Sequence, residues 1–182
     1  IISPTRDFYE SLLPKFRNKL NFHWALEALE ENSYSSKDDI SDETTLSKTL
    51  DDATDDTSAH NQSSIVFLLE TDEKQKFLFT GDAGRDAFNH VPQTLLGKVK
   101  DVTWMKVPHH GSKHNLDSTI IKHVNPEIAY ISTEKQGKYL NRSTVFALKK
   151  NGTKVYSTSQ NRSTIRHGAI KTREGWTKIE PM

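Results

Sequence analysis

Cysteine is absent from all 182 residues, which excludes disulfides, a thiolate nucleophile and cysteine-ligated zinc within this chain. Any metal held here would have to use His, Asp, Glu and water. Long apolar runs are missing too. Nothing in the sequence approaches the roughly 18 residues needed to span a bilayer, and the N-terminal stretch lacks the basic-then-apolar order of a signal sequence. The reading is of a soluble, cytoplasmic chain. Apolar residues are scarce, at 34% with a mean hydropathy of -0.71, so part of the length is solvated rather than packed. The rest is still long enough for one domain with a proper core. Charge of one sign is lacking as well: 25 basic residues stand against 24 acidic ones, and nothing in that balance demands a nucleic acid or a membrane.

The charge is unevenly spread. Acidic residues crowd into 38–56, whereas Lys149, Lys150, Lys154, Arg162, Arg166 and Lys171 help to make the C-terminal third basic, which allows a polyanionic substrate. The chain opens on Ile1-Ile2-Ser3-Pro4 rather than methionine, and the expectation is of a portion of something longer.

Three regions are expected. Residues 1–32 read as a helical segment following a strand end, with Phe8, Leu12, Phe16, Leu20 and Trp24 at four-residue steps and Pro14 predicting a break or kink. Residues 33–58 dissolve into Ser, Thr, Asp, Glu and Lys, reading as a disordered acidic linker or loop insertion whose removal over 36–57 is expected to leave folding intact. Residues 59–182 alternate strands and helices. Ile65–Leu69 and Phe77–Phe79 predict a hairpin, Asp86–Leu96 a helix split at Pro92, and Val102–Val107, Glu127–Ser132 and Lys154–Ser157 strands, with capped helices after Asp117 and Asn141. The class is α/β with a mixed sheet.

Two of these strands end in metal-capable side chains. Thr80-Gly81-Asp82-Ala83-Gly84 follows one, and Val107-Pro108-His109-His110-Gly111-Ser112-Lys113-His114 follows the next. Ligands gather at the carboxyl ends of strands in open α/β sheets, so an aspartate and a histidine pair could converge on one site. Carboxylate oxygen and imidazole nitrogen suit zinc, manganese or iron and can leave a position open to water. Asp82 read alone is equally a turn aspartate, and the histidines a polar loop. Adjacent residues leaving a strand point different ways, so one imidazole could bind metal while the other orients, donates a proton or contacts substrate. Ser112, Lys113 and His114 could add phosphate or leaving-group contacts, or equally form a solvated loop.

With both motifs in order and a helix between them, residues 61–170 resemble the C-terminal half of a metallo-β-lactamase-fold hydrolase. The nearest subgroup is that similar to the metallo-hydrolase domain of the DNA-uptake competence protein ComEC. The resemblance implies the C-terminal half of an αββα sandwich. It also implies two divalent metal ions, zinc first and manganese as the alternative, and a bridging hydroxide that attacks an ester, phosphoester or amide. Asp82 would be the bridging carboxylate and His110 the later histidine ligand. His109 would be a catalytic or substrate-facing neighbour, beside Ser112 and Lys113, and the two histidines could exchange roles. Phosphodiester or nucleic acid is the expected substrate.

The chain departs from the family in two places. The opening cluster His-x-His-x-Asp-His does not occur, and Tyr139-Leu140-Asn141 stands where many relatives carry His-Pro. The missing N-terminal half of the domain is therefore an expected partner, lying upstream. The alternative reading is a non-catalytic scaffold or binding module in a larger assembly. The oligomeric state is not legible.

Overall fold

Five short strands form one mixed sheet whose spatial order follows the chain. The computed structural model describes residues 1–17, 43–133, 140–160, 165–166, 171 and 173–182. Strand β1 (Phe67–Glu70) pairs antiparallel with β2 (Lys76–Phe79), and β3 (Trp104–Lys106), β4 (Ile128–Ile131) and β5 (Lys154–Ser157) continue parallel to β2. The polar turn at Asp72-Glu73-Lys74 closes the hairpin, with Lys74 at φ 63°. Each parallel neighbour requires a crossover, supplied by α4 (Arg85–Asn89) and α5 (Gln93–Leu96), then α6 (Ser118–Val124), then α7 (Arg142–Lys150). Pro92 separates α4 from α5, as its missing N–H predicts. Before the sheet come α1 (Arg6–Arg17), α2 (Glu43–Asp51) and α3 (Ala59–Gln62), and a small parallel pair, β6 (Ile165–Arg166) with β7 (Thr177–Lys178), follows it. Among the described residues no helix is long and apolar enough to cross a membrane.

The two faces of the sheet differ. Leu78, Met105, Ala129 and Val155 are buried and join Leu12 of α1, Leu50 of α2, Ile121 of α6 and Leu148 of α7 in one core. On the other face an aromatic ladder crosses all five strands. Phe67 stacks on Phe79 at 4.6 Å between ring centroids, Phe79 meets Trp104 at 5.1 Å, Trp104 meets Tyr130 at 5.6 Å and Tyr130 stacks on Tyr156 at 5.2 Å. Burial, helped by the neighbouring Tyr156, pushes the Tyr130 phenol up to about 12. The face is poorly covered along β1, where Ile65, Phe67 and Leu69 are 58%, 39% and 52% exposed. At that edge Ser3 makes an antiparallel bridge to Val66.

Two expectations are corrected. Of the break or kink expected at Pro14, the break is absent, since α1 runs on to Arg17. The proline is exposed, and the Phe8 and Leu12 stripe, with Phe16 packed beside it, holds the helix on the core across that point. The remainder of the expected helical segment, residues 18–32, lies outside the described residues.

The larger correction concerns 33–58. Residues 33–42 lie outside the described residues, but 43–58 is built into the domain. Helix α2 packs on α6 and α7 and buries Leu50 completely. Asp51 Oδ1 accepts from the Ser118 N–H at 2.8 Å, at the start of α6. A polar composition concealed one apolar edge, Leu46 and Leu50 at helical spacing, which is all that a helix lying on a surface needs.

Candidate functional site

The ends of β2 and β3 are tied together before any functional group is reached. Thr80 Oγ1 donates to the Lys106 carbonyl at 2.7 Å. The chain then turns at Gly81, φ 55°, where a Cβ would sit 2.9 Å from Ser64 Cβ, so glycine answers both the left-handed backbone and the close approach. The Asp82 N–H donates to Ser64 Oγ at 3.1 Å, and the carboxylate is left 40% exposed with Lys106 Nζ 3.4 Å from Oδ1. Lys106 Nζ also donates to the Gly81 carbonyl at 2.5 Å.

Past β3 the backbone does something that the sequence reading did not anticipate. His109 (φ 43°, ψ 51°) and His110 (φ 56°, ψ 21°) are both left-handed, and Gly111 follows at φ 89°. Left-handed conformations at successive non-glycine residues are uncommon and cluster at functional sites. Gly111 is held close, since a Cβ there would meet Ile131 Cγ2 at 3.2 Å and Leu140 Cδ1 at 3.3 Å. The two imidazoles lie 6.0 Å apart at 63°. His110 Nδ1 reaches the Ser132 carbonyl, past the end of β4, at 2.5 Å.

His109 is the centre of a polar network. Its Nδ1 lies 3.2 Å from Asp56 Oδ2 and 3.2 Å from Asn115 Oδ1, and its N–H donates to the Gly81 carbonyl at 3.3 Å. Asn115 Nδ2 donates to Asp56 Oδ2 at 3.0 Å and to the Asp82 carbonyl at 3.1 Å. The network thus joins the turn that carries Asp82 to the turn that carries His109. Burial opposes the charge on His109. The hydrogen bond and charge of Asp56, the charge of Asp82 and the hydrogen bond of Asn115 outweigh it and hold the imidazole above 6.5. Burial likewise opposes ionisation of Asp56, but hydrogen bonds from His109, Asn61, the Ser58 N–H and Asn115 hold its carboxyl below 3.8.

These directions fix a pH window. Asp56, depressed in the folded state, contributes stability that is present above 3.8 and lost as pH falls through its lower folded value. His109, raised in the folded state, contributes stability that is present below 6.5 and lost as pH rises through its higher folded value. A double-mutant cycle of Asp56→Ala and His109→Ala should therefore give a coupling of about 1–3 kcal/mol inside that window and less above it. A coupling that does not change with pH would show that the pair is not ionic. His114 runs the other way. Burial, against the Thr54 carbonyl and with the Lys113 and Arg85 charges, holds it below 6.5, and the cycle cancels its contribution.

Ser112 and Lys113 sit differently from the histidines. Ser112 is buried and its Oγ accepts from the His114 N–H at 3.2 Å. The Lys113 carbonyl accepts from Arg85 Nη2 at 3.0 Å, and Lys113 lines a shallow depression with Thr45, Lys48, Thr49, Asp52 and Ala53 on the α2 side. Their hydrogen bonds lie within the loop and with Arg85. The sequence reading missed Asp56, Asn61, Asn115 and Arg85. Asn115 follows the histidine motif directly and Arg85 follows Gly84, so nearness to the motifs was the available signal; Asp56 had none beyond its charge.

As a donor set, a carboxylate and imidazoles fit a divalent cation. Among the described residues no group of three or more His, Cys, Asp or Glu is disposed to hold one.

The fold and this site define an α/β domain with a polar cluster at the carboxyl edge of its parallel strands. The chain is similar to ComE operon protein 3 of Bacillus subtilis (strain 168), 30% identical over 128 residues, which is 69% of this chain but 16% of the length of that protein. No family model matches the chain, and no solved structure does.

Proposed function

We propose that this chain is part of a metal-dependent hydrolase of the metallo-β-lactamase fold, acting on phosphodiesters or nucleic acid. The observation that carries the reading is the meeting of Asp82 and the histidine turn at neighbouring strand ends, bridged by Asn115. The sandwich is supported by the β1 end of the aromatic ladder, where Ile65, Phe67 and Leu69 are exposed, because an exposed apolar sheet face calls for a second layer. Similarity to ComE operon protein 3 supports the ComEC-like part of the reading. The substrate class rests on that likeness and on the basic C-terminal third.

Asp82 would hold metal together with a histidine, His110 by the family likeness. Asn115 joins His109 to the Asp82 backbone carbonyl, which places His109 beside the same turn and supports the exchanged order. Two divalent ions, zinc or manganese, would supply Lewis acidity and an acidified water. The remaining ligands would come from outside the described residues. His109, hydrogen-bonded to Asp56, is the group suited to move a proton. A second reading, a non-catalytic module, is favoured by Lys106, whose ammonium already stands beside the Asp82 carboxylate.

Metal analysis of the purified native polypeptide tests both. The wild type should retain divalent metal, and Asp82→Ala and one of His109→Ala or His110→Ala should weaken retention by at least about 10–100-fold, the range commanded even by groups that only orient ligands. Hydrolysis of a simple phosphodiester should fall in parallel. Metal retained without hydrolysis favours the second reading, and a metal-free wild type ends the first.

A further inference from the structure

We propose that Asp56 is the positioning residue of His109: its carboxylate fixes the ring in the Nδ1–H tautomer and so puts the lone pair on Nε2, the ring edge opposite. What Nε2 then does, as ligand or as base, rests on the hydrolase reading. The tautomer rests on geometry alone.

Two acceptors converge on Nδ1, Asp56 Oδ2 and Asn115 Oδ1, each at 3.2 Å, whereas the Asn61 amide nitrogen, 3.5 Å from Nδ1, makes its shorter bond to Asp56 Oδ2 at 2.8 Å. The orientation of the Asn115 amide is itself fixed. Its nitrogen faces three acceptors, Asp56 Oδ2 at 3.0 Å, the Asp82 carbonyl at 3.1 Å and the Ala83 carbonyl at 3.3 Å, so the oxygen is the atom turned to His109. A nitrogen between two acceptors carries the proton.

Asp56 is held at every polar atom. Oδ1 accepts from the Ser58 N–H at 2.9 Å, and Oδ2 accepts from Asn61 Nδ2 at 2.8 Å as well as from Asn115. The backbone N–H donates to the His114 carbonyl at 3.1 Å, and the backbone carbonyl accepts from Gln62 Nε2. The carboxylate is 10% exposed. A surface ion pair needs none of this. A group that must aim another side chain does, because precise placement comes from locked supporting contacts. The left-handed backbone of His109 makes such support necessary.

Imidazole-nitrogen NMR of the 182-residue chain, at a pH where His109 is neutral, tests the assignment. The wild type should carry the proton on Nδ1. In Asp56→Asn the amide oxygen keeps the Oδ2 place, where Asn61 and Asn115 both donate, so the ring should stay protonated on Nδ1. In Asp56→Leu that acceptor is gone and Asn61 Nδ2, 3.5 Å from Nδ1, is released to donate to it, so the Nε2–H form should gain population. Asp55→Asn removes a charge one residue away, beside Arg85, and should leave the tautomer as in the wild type. A wild-type ring protonated on Nε2, or a tautomer unmoved in Asp56→Leu, overturns the proposal. Should Asp56→Leu not fold, the wild-type tautomer decides alone. Zinc titrated onto the native polypeptide separates the two readings. Expected is about 10–100-fold weaker binding in Asp56→Leu; an Nδ1–H wild type that binds no zinc removes the hydrolase and leaves the positioning standing.

Discussion

Arg85→Ala is expected to lower folding stability by about 3–5 kcal/mol, a large share of the roughly 5–15 kcal/mol that holds a typical domain folded. The guanidinium is 8% exposed and serves four backbone carbonyls from two segments. Nε donates to Leu116 at 3.1 Å, Nη1 to Ala53 at 3.0 Å, and Nη2 to Leu50 at 2.8 Å and Lys113 at 3.0 Å, with Asp55 Oδ1 2.9 Å from Nη1. Alanine leaves these acceptors facing a void, and each acceptor deprived of its donor costs about 1–3 kcal/mol unless water enters. Arg85→Lys keeps the charge and loses the planar fork, so it should recover less than half of the loss. Asp55→Ala should cost at most about 1 kcal/mol, because the carboxylate is 43% exposed. Urea unfolding midpoints check the order. An alanine variant within about 1 kcal/mol of the wild type would mean that solvent already satisfies those carbonyls.

What the sequence made legible follows from the range of the interactions involved. Strands ending at Phe79 and Lys106 were readable because apolar runs stop abruptly just before Gly81-Asp82 and Pro108-His109. The caps of α6 and α7 were readable because Asp117 and Asn141 bond their own helices, at Ile120 and Ser143. All of these are local. The hidden part is long-range: Asp56 reaches His109 across 53 positions and Asn115 across 59. Composition averages over a window, so an acidic stretch reads as solvated even when one of its carboxylates is bonded by Ser58, Asn61, His109 and Asn115. Gly84 is long-range in the same sense: a Cβ there would meet Gln62 Nε2 at 2.2 Å, and its smallness admits the amide that holds the Asp56 backbone.

Deletion of 36–57 is therefore expected to abolish folding, the reverse of what an inserted linker would do. The deletion removes Leu50, which is fully buried, and a buried leucine truncated to alanine at such a position already costs about 2–5 kcal/mol. It removes Asp51, which holds the first N–H of α6, and it takes away the Leu50 and Ala53 carbonyls from Arg85, which would be left buried with half of its backbone partners. It removes Asp56, leaving Asn61 and Asn115 without the carboxylate that they share. These losses fall on one contiguous region beneath the α6 and α7 layer, so they compound rather than add independently. Leu50→Ala, expected at about 2–5 kcal/mol by urea unfolding, separates the packing share from the polar share. A soluble deletion variant with a cooperative, wild-type melting transition would show that α2 only rests on the domain. Loss of that transition, with Leu50→Ala still folded, would assign the decisive share to Arg85 and Asp56, the two groups through which this acidic segment is joined to the strand-end site.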